Sequence, residues 1–257
     1  MNRWVASKLG NVSLRATIIA SLGAPLFLLW IAGFYTWSSW RDHLYADLTI
    51  EANQLADLII DAAGKLALER GTTVAALTAP TERRAVLRGQ VANWRAQGEK
   101  TQAQARVVAR HLVEASFAGP ALAAALAQAE NSFSELETAR REVDRALAGD
   151  GGITLEDWIR TISSHIADGA RVRMAAFSGE SLPAAAAFDS LTVKHQAWLA
   201  SEYAGLERGT LVGLINARQP ITPDTLQKLQ AYRQIADAAV KELLFLRQVP
   251  QDRKSVV

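Results

Sequence analysis

Cysteine is absent from the 257 residues of this chain, which excludes disulfides, thiol catalysis, zinc–thiolate sites and iron–sulfur clusters together. Proline and glycine are sparse, with 7 and 16 residues gathered at a few points. Neither sign of charge dominates, since 28 basic and 26 acidic residues give a net charge of +2, and nucleic-acid binding has little support. Hydrophobic residues make up 49% of the chain, with much Ala and Leu, and no segment alternates like a strand. We therefore expect an all-α fold.

A long uncharged run lies near the amino terminus, from Ala16 to Trp40. About 20 apolar residues in a helix cross the hydrocarbon core of a bilayer, so the run predicts a transmembrane helix. Basic residues precede it and acidic residues dominate the segment after it, which places the amino terminus in the cytoplasm. A cleaved signal peptide is the alternative, but the run is long for one and a small-residue cleavage pattern is poor.

We therefore expect a single-pass protein of the cell inner membrane. Its predicted parts are a cytoplasmic segment 1–15, a transmembrane helix 16–40, an extracytoplasmic helical domain 41–249 and a tail 250–257. Breaks in the apolar spacing divide the exported part into helices. The first helix continues from the membrane span to Pro80. The second covers about 81–116, with a break near Gly98. The later helices are 121–147, a stretch capped by Thr154, 184–217, and a stretch from Thr222-Pro223-Asp224 to Pro250.

One heptapeptide occurs twice. Leu68-Glu69-Arg70-Gly71-Thr72-Thr73-Val74 returns as Leu206-Glu207-Arg208-Gly209-Thr210-Leu211-Val212, with six of seven residues identical. Each copy is followed by a Thr, Pro and acid helix start. The two halves are therefore interpreted as related helical hairpins that face each other across a pseudo-twofold axis.

Three arginines occupy helical positions at which the apolar period calls for a hydrophobe. Arg70 lies four residues from both Leu66 and Val74. Arg140 and Arg208 interrupt similar stripes, so all three are expected to point inward. A buried guanidinium needs an acid or a bound anion. In one interpretation the repeats pair Glu69 with Arg208 and Glu207 with Arg70; in the other, the arginines form a partly buried anion pocket.

At these residues the sequence resembles the nitrate- and nitrite-sensing domain of bacterial chemoreceptors, histidine kinases, cyclic-nucleotide turnover enzymes and antitermination regulators. The matching elements, in chain order, are Glu69-Arg70-Gly71, the segment Leu136 to Asp144, Ile153-Thr154 after a Gly-rich loop, and Glu207 to Leu211 through Thr222-Pro223 to Leu229. Thr72-Thr73 depart from the Leu-Ser that usually follows the glycine in this family.

The resemblance implies an all-helical sensor of two stacked helical bundles that binds nitrate or nitrite through Arg70, Arg140 and Arg208. We expect a homodimer that transmits a helix shift through the membrane, with no cofactor and no enzymatic activity. The four histidines lack metal-ligand spacing and are expected at surfaces or interfaces. The runner-up hypothesis is a tethered structural or interaction bundle with internally paired arginines. No second span or output module follows Leu246, so we expect either a fragment or a sensor that acts through another subunit.

Overall fold

The computed structural model describes the backbone of residues 14–178 and 184–248, and the side chains of residues 25–178, 191–216 and 218–246. Its six helices are α1 (Leu14–Thr78), α2 (Thr81–Glu114), α3 (Gly119–Ala148), α4 (Leu155–Ala175), α5 (Ala184–Ala217) and α6 (Pro223–Gln248). The described backbone contains no strand. The predicted all-α class is therefore confirmed.

The helix ends follow the local sequence signals. α1 ends at Thr78, ahead of Pro80, and α2 runs without the predicted interruption at Gly98. The hydroxyl of Thr154 accepts a hydrogen bond from the backbone N–H of Asp157 at 3.1 Å and caps α4. Thr222 caps α6 in the same way. Such caps satisfy amides that have no partner within the helix, so they fix where each helix begins.

Glycines make the tight turn between α3 and α4. Gly149 ends α3 with a φ of 95°, in the left-handed region. Gly152 has a φ of 140°, and a Cβ built there would lie 2.4 Å from the carbonyl oxygen of Glu142. A side chain at that position would clash with the backbone of α3, so the turn requires glycine. It brings α4 back along α3.

The chain divides into a first unit, residues 1–47, and a second unit, residues 48–257. The described part of the first unit leaves large apolar side chains exposed, among them Leu26, Phe27, Leu29 and Trp30. Among the residues that the structure describes, no helix combines the length and the apolar character that crossing a membrane requires. The predicted span starts at Ala16, and the side chains of residues 14–24 lie outside the described part. The transmembrane helix stays a prediction.

The second unit has its main core between the carboxy-terminal part of α1 and helices α2, α3 and α4. Leu66, Val91, Leu136 and Trp158, one from each helix, are buried together there. Helices α5 and α6 pair with each other, with the rings of Tyr203 and Tyr232 5.9 Å apart. The arrangement in two stacked bundles stays a prediction.

Candidate functional site

The two copies of the repeated heptapeptide lie side by side in the second unit. Near its carboxy-terminal end, α1 contacts α5 through Arg70 and Glu202, and further along both helices the amide of Asn216 donates to the hydroxyl of Thr78 at 3.4 Å. Contacts that advance in the same direction along both helices show that the two segments run parallel. Thr78 and Asn216 are separated by 138 residues, the same separation as Arg70 and Arg208, so positions at the repeat spacing meet just after the two heptapeptides.

A cavity of about 470 Å³ lies between the two copies. Its walls include Arg70 and Gly71 from α1 and Arg208 and Gly209 from α5. A Cβ built at either glycine would have no atom within 4 Å. The missing side chains therefore leave space beside both arginines.

Arg70 points inward, as predicted, and is 5% exposed. Its guanidinium binds the carboxylate of Glu202 in a bidentate pair, with Nη1–Oε1 at 2.5 Å and Nη2–Oε2 at 3.2 Å. Nη1 also donates to the hydroxyl of Ser163 on α4 at 2.8 Å. One cavity wall thus carries a cation whose charge is matched by a carboxylate from the opposite helix.

Arg208 is exposed, so the prediction that it points inward is wrong. Its stripe consists of Ala204, Leu211, Val212 and Ile215, of which Leu211 is half-buried and the other three are exposed. Ile215 is 73% exposed and Val212 38%. α5 carries apolar residues on several sides, and the row that contains Arg208 does not face the core. Within the part of the chain that the structure describes, Arg208 has no ion pair, and it lines the cavity with a free guanidinium.

Arg140 points inward as predicted and is 1% exposed, but it lies in a separate cluster. It binds Glu69 through Nε at 2.9 Å and Nη2 at 2.5 Å, and Nη1 contacts Glu137 and Glu99. Arg95 on α2 also binds Glu69, at 3.2 Å. Burial alone would lower the pKa of Arg140, but the bonds and charges of Glu69 and Glu137 raise it above its ordinary value.

Arg70 and Arg140, the two predicted arginines that are buried, are therefore internally paired, although the predicted partners are wrong. Glu69 pairs with Arg140 and not with Arg208, and Glu207 pairs with Arg233 on α6. In the parallel arrangement Glu69 turns toward α2 and α3, whereas Glu207 turns toward α6. The register of α5 brings Glu202 to Arg70 instead, a partner that the sequence analysis missed.

One histidine also departs from its prediction. His165 is buried in the core, where its ring nitrogens lie 2.8 Å from the amide of Gln102 and 2.9 Å from the hydroxyl of Ser132. Burial, together with the positive charge of Arg140, lowers the pKa of His165 to about 4. The ring is thus neutral at pH 7 and acts as a polar core residue.

Comparison with protein-family models finds a match over residues 61–253 to the family described as nitrate and nitrite sensing. No curated protein and no solved structure matches the chain. The matched residues make up most of the second unit, and they contain both copies of the repeat and the cavity between them.

Proposed function

Because the chain belongs to the nitrate- and nitrite-sensing family, we propose that it binds one of these anions in the cavity between the repeats. Arg70 and Arg208 are the two cationic ligands. The observation that carries this proposal is that equivalent arginines of the two copies, one on α1 and one on α5, line the same cavity. Helices that approach an anion from two sides are held together by it.

The chemistry of the cavity suits a small oxyanion. A planar guanidinium with several N–H donors matches the oxygens of nitrate or nitrite. A volume of about 470 Å³ holds such an ion together with several waters, since a water occupies roughly 30 Å³. Arg208 contributes a positive charge that no described carboxylate offsets, which favours an anion over a neutral ligand.

Glu202 gives the site two states. Without ligand, its carboxylate satisfies Arg70. An incoming anion competes for the same N–H groups, so binding releases Glu202 and with it one contact that fixes α5 against α1. A ligand shifts a conformational equilibrium only when it binds one state better, and the exchange of carboxylate for anion supplies that difference.

Arg140 enters the proposal as a positioning residue. Its guanidinium is occupied by three carboxylates from three different helices, of which Glu69 is the neighbour of Arg70 in the chain. This cluster holds the segment of α1 that presents Arg70. Direct contact between Arg140 and the anion would require these pairs to open.

The anchoring and signalling parts of the proposal rest on α1. This single helix contains both the predicted span 16–40 and Arg70. A change at Arg70 therefore acts on the same helix that would cross the inner membrane, with the amino terminus in the cytoplasm and the second unit outside. In a homodimer, such a shift would reach an output of the chemoreceptor or sensor-kinase type.

The ion pairs also favour a second candidate, a tethered structural bundle. Both buried arginines predicted as ligands, Arg70 and Arg140, already have carboxylate partners. A bundle of this kind needs no anion. It would give the same melting temperature with and without millimolar nitrate.

Titration calorimetry on the full chain separates the two candidates. We expect heat with nitrate or nitrite that is much reduced in Arg208→Gln, which removes a cavity cation at an exposed position. Arg218→Gln is the matched control, because Arg218 is also exposed, immediately follows α5 and does not line the cavity. No heat with the native chain would leave the structural bundle as the function, and equal binding in the two variants would exclude Arg208 as a ligand.

A further inference from the structure

A third buried arginine, Arg173 on α4, differs from Arg70 and Arg140. Its relative exposure is 0%. Its Nη2 lies 2.8 Å from Nδ1 of His195 on α5, whereas its Nε and Nη1 have no hydrogen-bond partner. No carboxylate among the described residues forms an ion pair with it. Among the described residues, its charge therefore has no carboxylate partner and two of its three nitrogens have no hydrogen-bond partner.

Such an arrangement is costly unless something else is bound. Burial lowers the pKa of Arg173 to about 10, so the group is still charged at pH 7. Buried charges in proteins are normally paired, and unmet N–H donors add a further desolvation cost. The two other buried arginines follow this rule with four carboxylates between them, Glu202, Glu69, Glu137 and Glu99.

The surroundings of Arg173 compensate part of its charge. The guanidinium carbon lies 5.3 Å from the centre of the Trp198 ring, in a cation–π contact. The rings of His195 and Trp198 are stacked, 5.7 Å apart. Burial and the charge of Arg173 lower the pKa of His195, which keeps it a neutral acceptor. His195 and Trp198, which contact the guanidinium, are themselves partly exposed, so the groups around Arg173 reach the surface of α5.

We infer that Arg173, His195 and Trp198 form a second anion site, separate from the cavity between the repeats, which takes a small monovalent inorganic anion such as chloride or nitrate. One positive charge calls for one negative charge, and the two unused nitrogens supply its hydrogen bonds. A divalent sulfate or phosphate would exceed the charge and lose more hydration on burial. The site sits between α4 and α5, so its occupant joins the α5–α6 hairpin to the core helices.

The test is a set of melting curves of the full chain in gluconate buffer with added chloride, nitrate or sulfate. The native chain, Arg173→Met, Arg208→Gln and the double variant are compared. Arg160→Met is the matched control, since Arg160 lies on the same helix with an exposed side chain. Methionine preserves much of the arginine stem and replaces a buried charge with an apolar group, a change that folded proteins often tolerate.

We expect chloride at a hundredfold excess over its dissociation constant to raise the melting temperature of Arg208→Gln by about 5 °C or more. The same addition of chloride leaves the melting temperature of Arg173→Met unchanged, or raises it only through binding in the repeat cavity. Sulfate has little effect on the melting temperature of either variant. Chloride stabilisation that persists in the double variant would overturn the inference. Loss of stabilisation in Arg208→Gln alone would also overturn it, while supporting the repeat cavity as the only anion site.

A second measurement locates the ion directly. Crystals of the full chain grown in sodium bromide are expected to give an anomalous peak within hydrogen-bond distance of Nε or Nη1 of Arg173. The peak should disappear in Arg173→Met. A water molecule on these atoms at high bromide concentration would contradict the site.

Discussion

The clearest energetic prediction compares Glu69 with Glu207, the same residue in the two copies of the repeat. Each binds one arginine through two hydrogen bonds, and Glu69 accepts a further one from Arg95. Glu69 is 0% exposed and its partner Arg140 is 1% exposed, whereas the side chain of Arg233, the partner of Glu207, is 62% exposed. The local sequence and the two-bond pair are thus matched, and the differences are burial and the additional contact of Glu69 with Arg95.

Glu69→Gln removes the charge that faces a buried guanidinium. Breaking a buried ion pair by altering one partner costs about 3–5 kcal/mol. We expect roughly 3 kcal/mol, at the low end of that range, because Glu137 and Glu99 still contact Arg140. Glu207→Gln should have a far smaller effect, since water replaces the lost interaction at a surface pair.

Urea denaturation of the full chain, followed by circular dichroism, measures the two free energies of unfolding. Adding Arg140→Met to Glu69→Gln should recover much of the loss, because it removes the charge that was left uncompensated. Similar destabilisation by Glu69→Gln and Glu207→Gln would refute the reasoning. So would a double variant that is less stable than Glu69→Gln alone.

Three further predictions concern ligand affinity, pH and a helix cap. Glu202→Gln should bind nitrate about tenfold more tightly than the native chain, because an amide competes less well for Arg70 than a carboxylate does. An unchanged or lower affinity, measured by calorimetry, would contradict the proposed exchange of the Glu202 carboxylate for the anion. The neutral His165 should make the free energy of unfolding fall as the pH decreases from about 6.5 towards about 4, because the unfolded chain takes up a proton that the folded core excludes. The full effect is on the order of 3 kcal/mol. Urea midpoints that fall equally in His165→Gln would argue against this cause. Thr154→Ala should cost about 1 kcal/mol through the lost cap of α4, with Thr138→Ala, an exposed mid-helix threonine, as the control that should cost less.

Much of the fold could be predicted because its signals are local. A cap hydroxyl and a first-turn acid fix the start of α4, and a glycine with positive φ fixes the end of α3. These features act within one turn of helix and depend little on tertiary contacts. The periodicity also identified two inward arginines, Arg70 and Arg140, since each lies on a row of residues that proved to be buried.

The partners could not be predicted in the same way. Which carboxylate meets Arg70 depends on the register of α5 against α1, and that register is set by packing across the whole second unit. The stripe argument was wrong for Arg208 because α5 has apolar residues on more than one side, so period alone does not say which row faces the core. Glu202 gave no motif signal of its own.

Arg173 was missed, although the helical period of the apolar residues also identifies it as an inward-pointing residue. It lies seven residues after Ile166 and three before Ala176, both of which are buried. Four residues before it stands Gly169, which also belongs to this row. No repeated motif marks Arg173, so its position on a buried row of α4 is the one local signal that it carries.

The most direct test of anion binding between the repeats is a crystal structure of the full chain grown with nitrate. We predict nitrate density in the cavity, in contact with both Arg70 and Arg208, with the carboxylate of Glu202 withdrawn from Arg70. An empty cavity with the Arg70–Glu202 pair intact, in crystals of a protein that binds nitrate in solution, would contradict it.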